Sequence, residues 1–348
     1  MKIRGRGTSQ NPANRFYRRA VELDPEEVDP EEPLPRTQFL KDSARTIIAT
    51  NDSPDIGFDA SINPYRGCEH GCVYCYARPF HEYLGYSAGL DFETKILVKE
   101  DAPQLLHREL ESPRWRPRTL AMSGVTDPYQ PVERRLGLTR RCLEVLSDFR
   151  NPVAIITKNH LVTRDADLLA RLAAHRAAAV TVSVTTLDAS LARALEPRTS
   201  SPVRRLAAIE ALAEAGVPVG VNVAPVIPGL TDHEVPAILK AAARAGATFA
   251  GHTVLRLPHV VQGLFETWLS QHAPDRKEKV LHRIREVRDG ALNDPKFGSR
   301  MKGSGAYAEQ IHALFRLGCR KAGLEGTAPD LSAAAFQVPP GPQLMLFD

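Results

Sequence analysis

The sequence has little that would place it in a membrane or outside the cell. It has no apolar run long enough to span a bilayer, and its N-terminus, MKIRGRGTSQNPANR, carries charge without an apolar segment. The excess of basic over acidic residues is also small, because 45 basic and 41 acidic residues leave a formal net charge of only +4. Such mild basicity argues against a protein that coats nucleic acid. We therefore expect a cytosolic protein.

Cysteine is scarce, and three of the five cysteines in the 348 residues are close together. Cys68, Cys72 and Cys75 lie in NPYRGCEHGCVYCYARP with the spacing C-x3-C-x2-C. Cytosolic thiols stay reduced, so this grouping favours a metal centre over disulfides. A closed zinc site requires four ligands, and His70 and His81 could complete one. Three thiolates on one loop suit a 4Fe–4S cluster, in which the fourth iron is left for another ligand.

Apolar, β-branched runs alternate with amphipathic helical patterns through most of the chain, which predicts a parallel sheet covered by helices. The predicted strands are 58–62, 119–125, 153–157, 179–186, 217–227 and 248–257. The predicted helices are 133–149, 163–176, 202–215, 233–245, 274–291 and 305–321. Six strand–helix units are too few for a closed eight-stranded barrel. They predict an α/β fold, either a partial (β/α)6 TIM-like barrel with a C-terminal helical extension or an open doubly wound sheet.

Four parts of the chain differ in composition. Residues 1–40, with the acidic run ELDPEEVDPEEPLP, are predicted to be a flexible polar N-terminal arm. Residues 41–300 would form the core domain, residues 301–335 a C-terminal helical extension, and residues 336–348 a flexible tail. Polar residues follow the predicted strands, including the three cysteines after the first. The functional site is therefore expected at the carboxyl ends of the strands.

The cysteine motif resembles that of the radical S-adenosylmethionine (radical SAM) superfamily, C-x3-C-x-aromatic-C on the loop after the first strand. Tyr74 fills the aromatic position. The resemblance implies a partial (β/α)6 barrel with a 4Fe–4S cluster, bound by Cys68, Cys72 and Cys75, whose open iron binds the methionine part of SAM. It further implies that one electron from the cluster cleaves SAM to a 5′-deoxyadenosyl radical, which abstracts hydrogen from a substrate.

The longer pattern N-P-Y-x-G-C-x-H-x-C-x-Y-C-Y-A resembles the branch that contains spore photoproduct lyase, over roughly residues 56–257. Further marks of an uncharacterised bacterial family in that branch are TDPYQPVE, SVTTLD, LEPRTSSPVRRLAAI and APVIPGLTD. The resemblance implies a macromolecular substrate, first of all a DNA lesion, and a flavodoxin or ferredoxin type electron donor. Radical modification of RNA or protein is the alternative reaction. A non-catalytic iron–sulfur binding or sensor protein associated with DNA is the rival from another class.

The resemblance also implies residues that bind SAM. Ser123 and Thr126 would lie near the methionine amino group, and Lys158 and Arg198 would bind the SAM carboxylate. The residues implied to contact the ribose, methionine or adenosine parts are Ser183, Asn222 and Ala224.

One position departs from the lyase pattern. The lyase returns hydrogen to the substrate radical from a cysteine on its second strand, and the matching stretch here, AMSGVTD, has none. Cys142 lies on a predicted amphipathic helix, where a buried structural thiol is expected. Tyr129 is the candidate hydrogen donor by proximity alone.

The chain ends in QLMLFD after a Pro/Gly stretch. Gln343, Leu344, Leu346 and Phe347 form the pattern Q-L-x-L-F, which resembles the motif by which bacterial repair and replication proteins bind the sliding clamp. Packing of these apolar side chains on their own domain is the alternative. The basic stretch RWRPR at residues 114–118 is expected to be a solvated loop, with phosphate contact as its alternative.

Overall fold

The computed structural model describes residues 3–17, 36–324 and 327–340. The strands in this part of the chain are β1 (Gln38–Lys41), β2 (Ile48–Thr50), β3 (Ala60–Ile62), β4 (Tyr65–Arg66), β5 (Lys95–Val98), β6 (Leu120–Met122), β7 (Val153–Thr157), β8 (Ala178–Ser183), β9 (Val219–Val226) and β10 (Phe249–Val254). The helices are α1 (Asp91–Thr94), α2 (Ala102–Glu111), α3 (Glu133–Leu136), α4 (Leu138–Phe149), α5 (Ala166–Ala173), α6 (Ala189–Leu195), α7 (Pro202–Glu214), α8 (Val235–Arg244), α9 (Val261–His272), α10 (Lys277–Glu286), α11 (Ser299–Lys302) and α12 (Gly305–Ala322).

The main sheet has seven strands in the order β10-β9-β8-β7-β6-β3-β2. Six of them run parallel and follow one another along the chain, and β2 pairs antiparallel with β3 at one edge. These six are the predicted strands; β7 has the predicted bounds, and the others differ from them by a few residues at their ends. The sheet is not closed in the described residues, because no ladder joins β10 to β2. The six parallel strands also pair in chain order, without the reversal of strand order of a doubly wound sheet, so the prediction of a partial (β/α)6 TIM-like barrel is confirmed.

The predicted helices are present with some differences, and α2 and α6 occur in addition to them. The predicted helix 133–149 is divided into α3 and α4, because Gly137 adopts the left-handed conformation (φ +63°) that ends α3. The predicted helix 274–291 is shorter, with α10 ending at Glu286, and α9 precedes it without having been predicted. Cys142 is fully buried in α4, as expected for a structural thiol.

A second, small sheet lies beside the cysteine loop. Strand β5 pairs parallel with β1 and antiparallel with β4, and β4 ends one residue before Gly67. The small sheet therefore holds both the start of the cysteine loop, after β4, and β5, which follows that loop in the chain.

Residues 3–17, predicted to belong to a flexible arm, lie against the core domain. The Asn14 side chain donates to the carbonyls of Glu82 (2.8 Å) and Tyr86 (3.1 Å), and the Gly7 N–H donates to the Glu93 carboxylate (2.9 Å). The Arg15 N–H also donates to the Glu82 carboxylate (3.1 Å), so the prediction of a flexible arm is wrong for residues 3–17, and the domain boundary at residue 40 stays a prediction.

The C-terminal extension packs on the last part of the sheet. Helix α12 lies along α8, where Gly318 permits close approach, since a Cβ there would be 2.7 Å from Leu239. No helix among the described residues is both long and apolar enough to cross a membrane. The predicted clamp-binding residues 343–347 lie outside the described part of the chain.

Candidate active site at the three-cysteine loop

The cysteine loop is fixed by its main chain. The Cys68 N–H donates to the Phe92 carbonyl (2.9 Å), and the Val73 N–H donates to the Leu195 carbonyl (3.1 Å). Gly67 adopts φ +78°, and a Cβ there would lie 3.0 Å from the Phe92 carbonyl oxygen. Only glycine suits this close approach with a left-handed backbone. The loop is therefore held on two sides before any cofactor is considered.

A buried ion pair supports the loop from outside the barrel. The guanidinium of Arg78 binds the Glu93 carboxylate at 2.6 Å, and both side chains are fully buried. Arg78 Nε also donates to the Cys72 carbonyl at 3.0 Å. This pair fixes the middle of the loop because a buried charge demands both its counter-ion and its hydrogen bonds.

The three thiols are reduced and lie near one another. Cys68 and Cys72 are buried, Cys75 is half-buried, and none forms a disulfide. Burial raises the pKa of Cys75 to about 11, with a further rise from Cys68, while Arg78 and Lys158 oppose it. A cluster iron must therefore displace a proton from this thiol when it binds. Three free thiols on one buried loop are the donor set that a 4Fe–4S cluster requires.

The positions of His70 and His81 do not support a zinc site with four ligands. His70 lies beside Cys68, but its ring nitrogens face Asp127 (3.4 Å) and Asn159 (3.2 Å). His81 packs its ring on Phe92 and Tyr86. In residues 3–17, 36–324 and 327–340, no three His, Cys, Asp or Glu side chains converge on one metal ion.

A second charge network lies on the barrel side of the loop, around the fully buried Glu196. This carboxylate forms ion pairs with Arg205 and with Lys158 (3.4 Å) and accepts from the hydroxyls of Thr185 (2.7 Å) and Tyr74. Although burial opposes ionisation, the two cations hold the pKa of Glu196 far below its usual range. The carboxylate therefore stays ionised.

This network has one positive charge more than it has negative charges. Arg205 is 1% exposed and completely engaged, because it also donates to the Ser183 and Ser200 carbonyls. Lys158 is 16% exposed, and its ammonium donates to the Ala224 carbonyl at 2.8 Å. Its charge acts to lower the pKa of both Cys72 and Cys75. Lys158, the predicted partner of the SAM carboxylate, is thus a cation beside the cysteines that shares one counter-ion, Glu196, with Arg205.

The loop after β6 forms another wall of the site. Ser123 adopts φ +146°, which side-chain-bearing residues rarely do, and such strain is typical of functional sites. The Tyr76 hydroxyl donates to the Gly124 carbonyl at 2.7 Å, and the Thr126 hydroxyl donates to the Tyr65 carbonyl at 3.1 Å. The loop is therefore tied directly to the residue after Cys75.

Asp127 connects this wall to the next strand. Its carboxylate accepts from the Thr157 hydroxyl and from the Lys158 N–H, both at 2.7 Å, and pairs with His70. Burial acts to raise its pKa, but His70 and these hydrogen bonds hold the pKa of Asp127 below its usual value. This carboxylate therefore joins β6, β7 and the cysteine loop.

The other predicted SAM-binding residues lie in the same region. Ser183 is buried at the end of β8, and Asn222 and Ala224 lie next to it on β9. Arg198 binds the Glu69 carboxylate at 3.0 Å, and its N–H donates to the His70 carbonyl at 3.2 Å. Arg198 thus already binds a carboxylate of the cysteine loop, and its role as a clamp for SAM stays a prediction.

Tyr129 is not brought to the cysteines. It is fully buried in the main core, and its hydroxyl faces Asp165 and Arg164 in the helical layer. Its role as hydrogen donor, which rested on proximity in the sequence, loses that support.

Sequence reasoning missed Glu196 and Arg205 as a buried pair. Both lie in the stretch LEPRTSSPVRRLAAI, whose arginines read as solvated helix or loop residues. Their separation of nine residues matches no helical spacing, so no local pattern could have indicated the pairing.

The sequence comparisons agree with this geometry. The model of the radical SAM superfamily matches residues 62–242, from the end of β3 into α8. The chain belongs to the radical SAM superfamily. Radical SAM proteins use a 4Fe–4S cluster and SAM, the cofactors expected from the loop.

Two relatives and two solved structures extend the comparison. An uncharacterized protein of Mycobacterium tuberculosis is 38% identical over 248 residues, which cover 70% of this chain and 72% of the relative. An uncharacterized protein of Methanocaldococcus jannaschii is 32% identical over 199 residues, 57% of this chain and 71% of the relative.

Both solved structures are of spore photoproduct lyase. The form complexed with dinucleoside spore photoproduct matches with a TM-score of 0.58 and 17% identity, covering 81% of this chain and 79% of that chain. A mutant with bound AdoMet and the same dinucleoside matches with a TM-score of 0.57, 17% identity and 81% and 78% coverage. At this identity the likeness concerns the fold.

Proposed function

We propose that this radical SAM enzyme acts on a macromolecular substrate and that the substrate is DNA carrying a lesion. The observation that carries the radical chemistry is the set of three reduced thiols on one anchored loop at the carboxyl end of a six-stranded parallel sheet. Bound there together, the 4Fe–4S cluster and SAM supply a one-electron cleavage of SAM to methionine and a 5′-deoxyadenosyl radical that abstracts hydrogen.

The protein's own residues hold and orient these groups. Cys68, Cys72 and Cys75 bind three irons, and Lys158 supplies the positive charge that a buried SAM carboxylate needs. Glu196 and Arg205 fix Lys158 and Tyr74 in place. The role of the protein is to position the cofactors and exclude side reactions.

Support for a DNA substrate comes from the likeness in fold to the lyase bound to a dinucleoside photoproduct and from the clamp-like QLMLF at residues 343–347. A flavodoxin or ferredoxin type protein would supply the electron. No cysteine precedes Thr126 in AMSGVTD, so the hydrogen donor that closes the reaction would differ from that of the lyase.

The first test is formation of 5′-deoxyadenosine. The protein is reconstituted anaerobically with iron and sulfide, reduced with dithionite, mixed with SAM and analysed by chromatography. We expect product from the wild type and none from Cys72→Ala, which removes one iron ligand. The matched control is Cys142→Ala, since that thiol is buried in α4 away from the loop.

The result that contradicts catalysis is a wild-type protein that carries four irons and forms no deoxyadenosine. The substrate is tested next, by comparing deoxyadenosine formation with irradiated DNA, irradiated RNA and peptide. Stimulation by RNA or peptide alone would replace DNA as the substrate.

A further inference from the structure

Arg256 lies at the mouth of the barrel, beside the cysteine loop. It follows β10 by two residues, and its guanidinium carbon lies 5.2 Å from the centroid of the Tyr76 ring. Tyr76 comes directly after Cys75, and its hydroxyl donates to the Gly124 carbonyl in the loop after β6. Arg256 therefore faces the space bounded by the cysteines, the β6 loop and the C-terminal extension.

One edge of this guanidinium has no acceptor. Nη1 donates to the Met301 sulfur at 3.2 Å, whereas Nε is buried without a hydrogen-bond partner in the described part of the chain. The hydrogen bond from Nη1 is the one that Arg256 makes with the described residues, and the nearby Asp55 carboxylate, which acts to raise the pKa of Arg256, pairs with Arg300 instead. The free edge formed by Nε and Nη2 is the edge with which arginine binds two oxygens of a carboxylate or phosphate.

The guanidinium of the neighbouring Arg300, in contrast, has acceptors for its hydrogen bonds. Its Nε donates to the Asp55 carboxylate at 2.6 Å, and its Nη2 donates to the Ser53 hydroxyl at 2.5 Å. Burial and then the charge of Arg300 lower the pKa of Arg256. A partly desolvated cation beside a second cation is stabilised when an anion binds.

The surroundings favour a polyanion with aromatic groups. The stretch KFGSRMK at residues 296–302 carries three cations and no carboxylate. Arg300 lies 4.4 Å from the ring centroid of Phe297, which is 60% exposed, as Arg256 lies over Tyr76, which is 43% exposed. Alternating cations and exposed rings are typical of surfaces that bind the phosphates and bases of an unpaired nucleic-acid strand.

We propose that the Nε and Nη2 groups of Arg256 bind a phosphodiester of the substrate strand, with Tyr76 and Phe297 beside it as ring faces for bases. This inference rests on the proposed nucleic-acid substrate and deepens it. It places the nucleic-acid strand in the gap between β10 and the cysteine loop, on the side where the barrel is open.

The test measures binding, not turnover. Cluster-loaded wild type, Arg256→Gln and Arg256→Lys are titrated with a fluorescein-labelled single-stranded oligodeoxynucleotide by anisotropy at several salt concentrations. We expect Arg256→Gln to bind about tenfold more weakly and its log–log salt slope to fall by about 0.7, the value for one lost phosphate contact on a single strand. Arg256→Lys keeps the charge but not the two-nitrogen edge, so its affinity should lie between those of the wild type and Arg256→Gln.

The matched control is Arg244→Gln. Arg244 is exposed at the end of α8, before β10 begins and so at the amino end of the strands, and its loss should change neither affinity nor salt slope. Equal losses in Arg244→Gln and Arg256→Gln would overturn the site, as would unchanged binding by Arg256→Gln.

Two further outcomes separate this inference from its premise. The Kd of SAM is measured for the same variants by isothermal titration. Weaker SAM binding by Arg256→Gln with unchanged oligonucleotide binding would assign the free edge to the SAM carboxylate and overturn the proposal. A wild type that cleaves SAM but binds no oligonucleotide would overturn the nucleic-acid substrate itself.

Discussion

The two sides of the barrel mouth are built differently. On the cysteine side, Arg78 with Glu93, and Glu196 with Arg205, form buried ion pairs that also bind the main chain of the loop or its neighbours. On the β10 side, two of the contacts near the C-terminal extension contain no ion pair. There His252 Nε2 meets His312 Nδ1 at 2.7 Å, and a guanidinium edge is free.

This difference predicts that the two sides of the barrel mouth differ in how strongly they resist local change. Breaking a buried ion pair costs much more than the pair contributes when intact, so the cysteine side resists local change. On the β10 side, burial lowers the pKa of both His252 and His312, and part of the Arg256 guanidinium has no acceptor among the described residues. We infer that the cysteine side resists local change more than the β10 side does.

The largest effect is expected from Glu196→Gln. The substitution leaves Arg205 buried without a counter-ion, so the free energy of unfolding should fall by about 3–5 kcal/mol. Urea denaturation measures it. The control Glu286→Gln breaks the exposed ion pair with Arg283 and should have no measurable effect. Equal midpoints for the wild type and Glu196→Gln would remove the basis for calling the cysteine side rigid.

Gly67→Ala should come next. A left-handed backbone costs alanine about 1–2 kcal/mol, and here the added Cβ would also lie 3.0 Å from the Phe92 carbonyl oxygen. We expect a loss of about 2–4 kcal/mol and a lower iron content after reconstitution.

The matched control for Gly67 is Gly216→Ala. Gly216 has φ +74° but nothing within 4 Å of the new Cβ, so it should lose only about 1 kcal/mol and keep its iron. If both variants lost iron equally, the close packing of the cysteine loop would not be what positions the thiols.

The smallest effect concerns pH and the β10 side. Burial, then His312 and nearby cations, lower the pKa of His252 to about 4. Because the unfolded chain takes up this proton near pH 6.5 and the folded one does not, stability is present above pH 6.5 and is lost as the pH falls toward 4. We expect the wild type to lose about 1 kcal/mol between pH 6.5 and 5.5 relative to His252→Gln.

Urea midpoints at those two pH values test this, with the exposed His233→Gln as control. If the wild type and His252→Gln showed the same change with pH, the histidine pair would not make the β10 side sensitive to protons.

Much of the fold could be predicted because it depends on local patterns. Each parallel strand shows itself as a short apolar run, and consecutive strand–helix units pair in chain order. The division of the helix at Gly137 and the packing of residues 3–17 could not be predicted. The first depends on one backbone conformation, and the second on buried acceptors about 70 residues or more away in the chain.

The amino-acid sequence was enough to identify the cysteine loop, because the spacing of Cys68, Cys72 and Cys75 brings the three thiols together. It also placed Lys158 at the carboxyl end of a strand, where the site had to be. Which buried charges have an ion-pair partner depends on the tertiary fold. Glu196 meets Arg205 and Lys158, while Arg256 meets no carboxylate among the described residues. Such pairings depend on side chains from distant elements converging in space, and no local pattern encodes that distance.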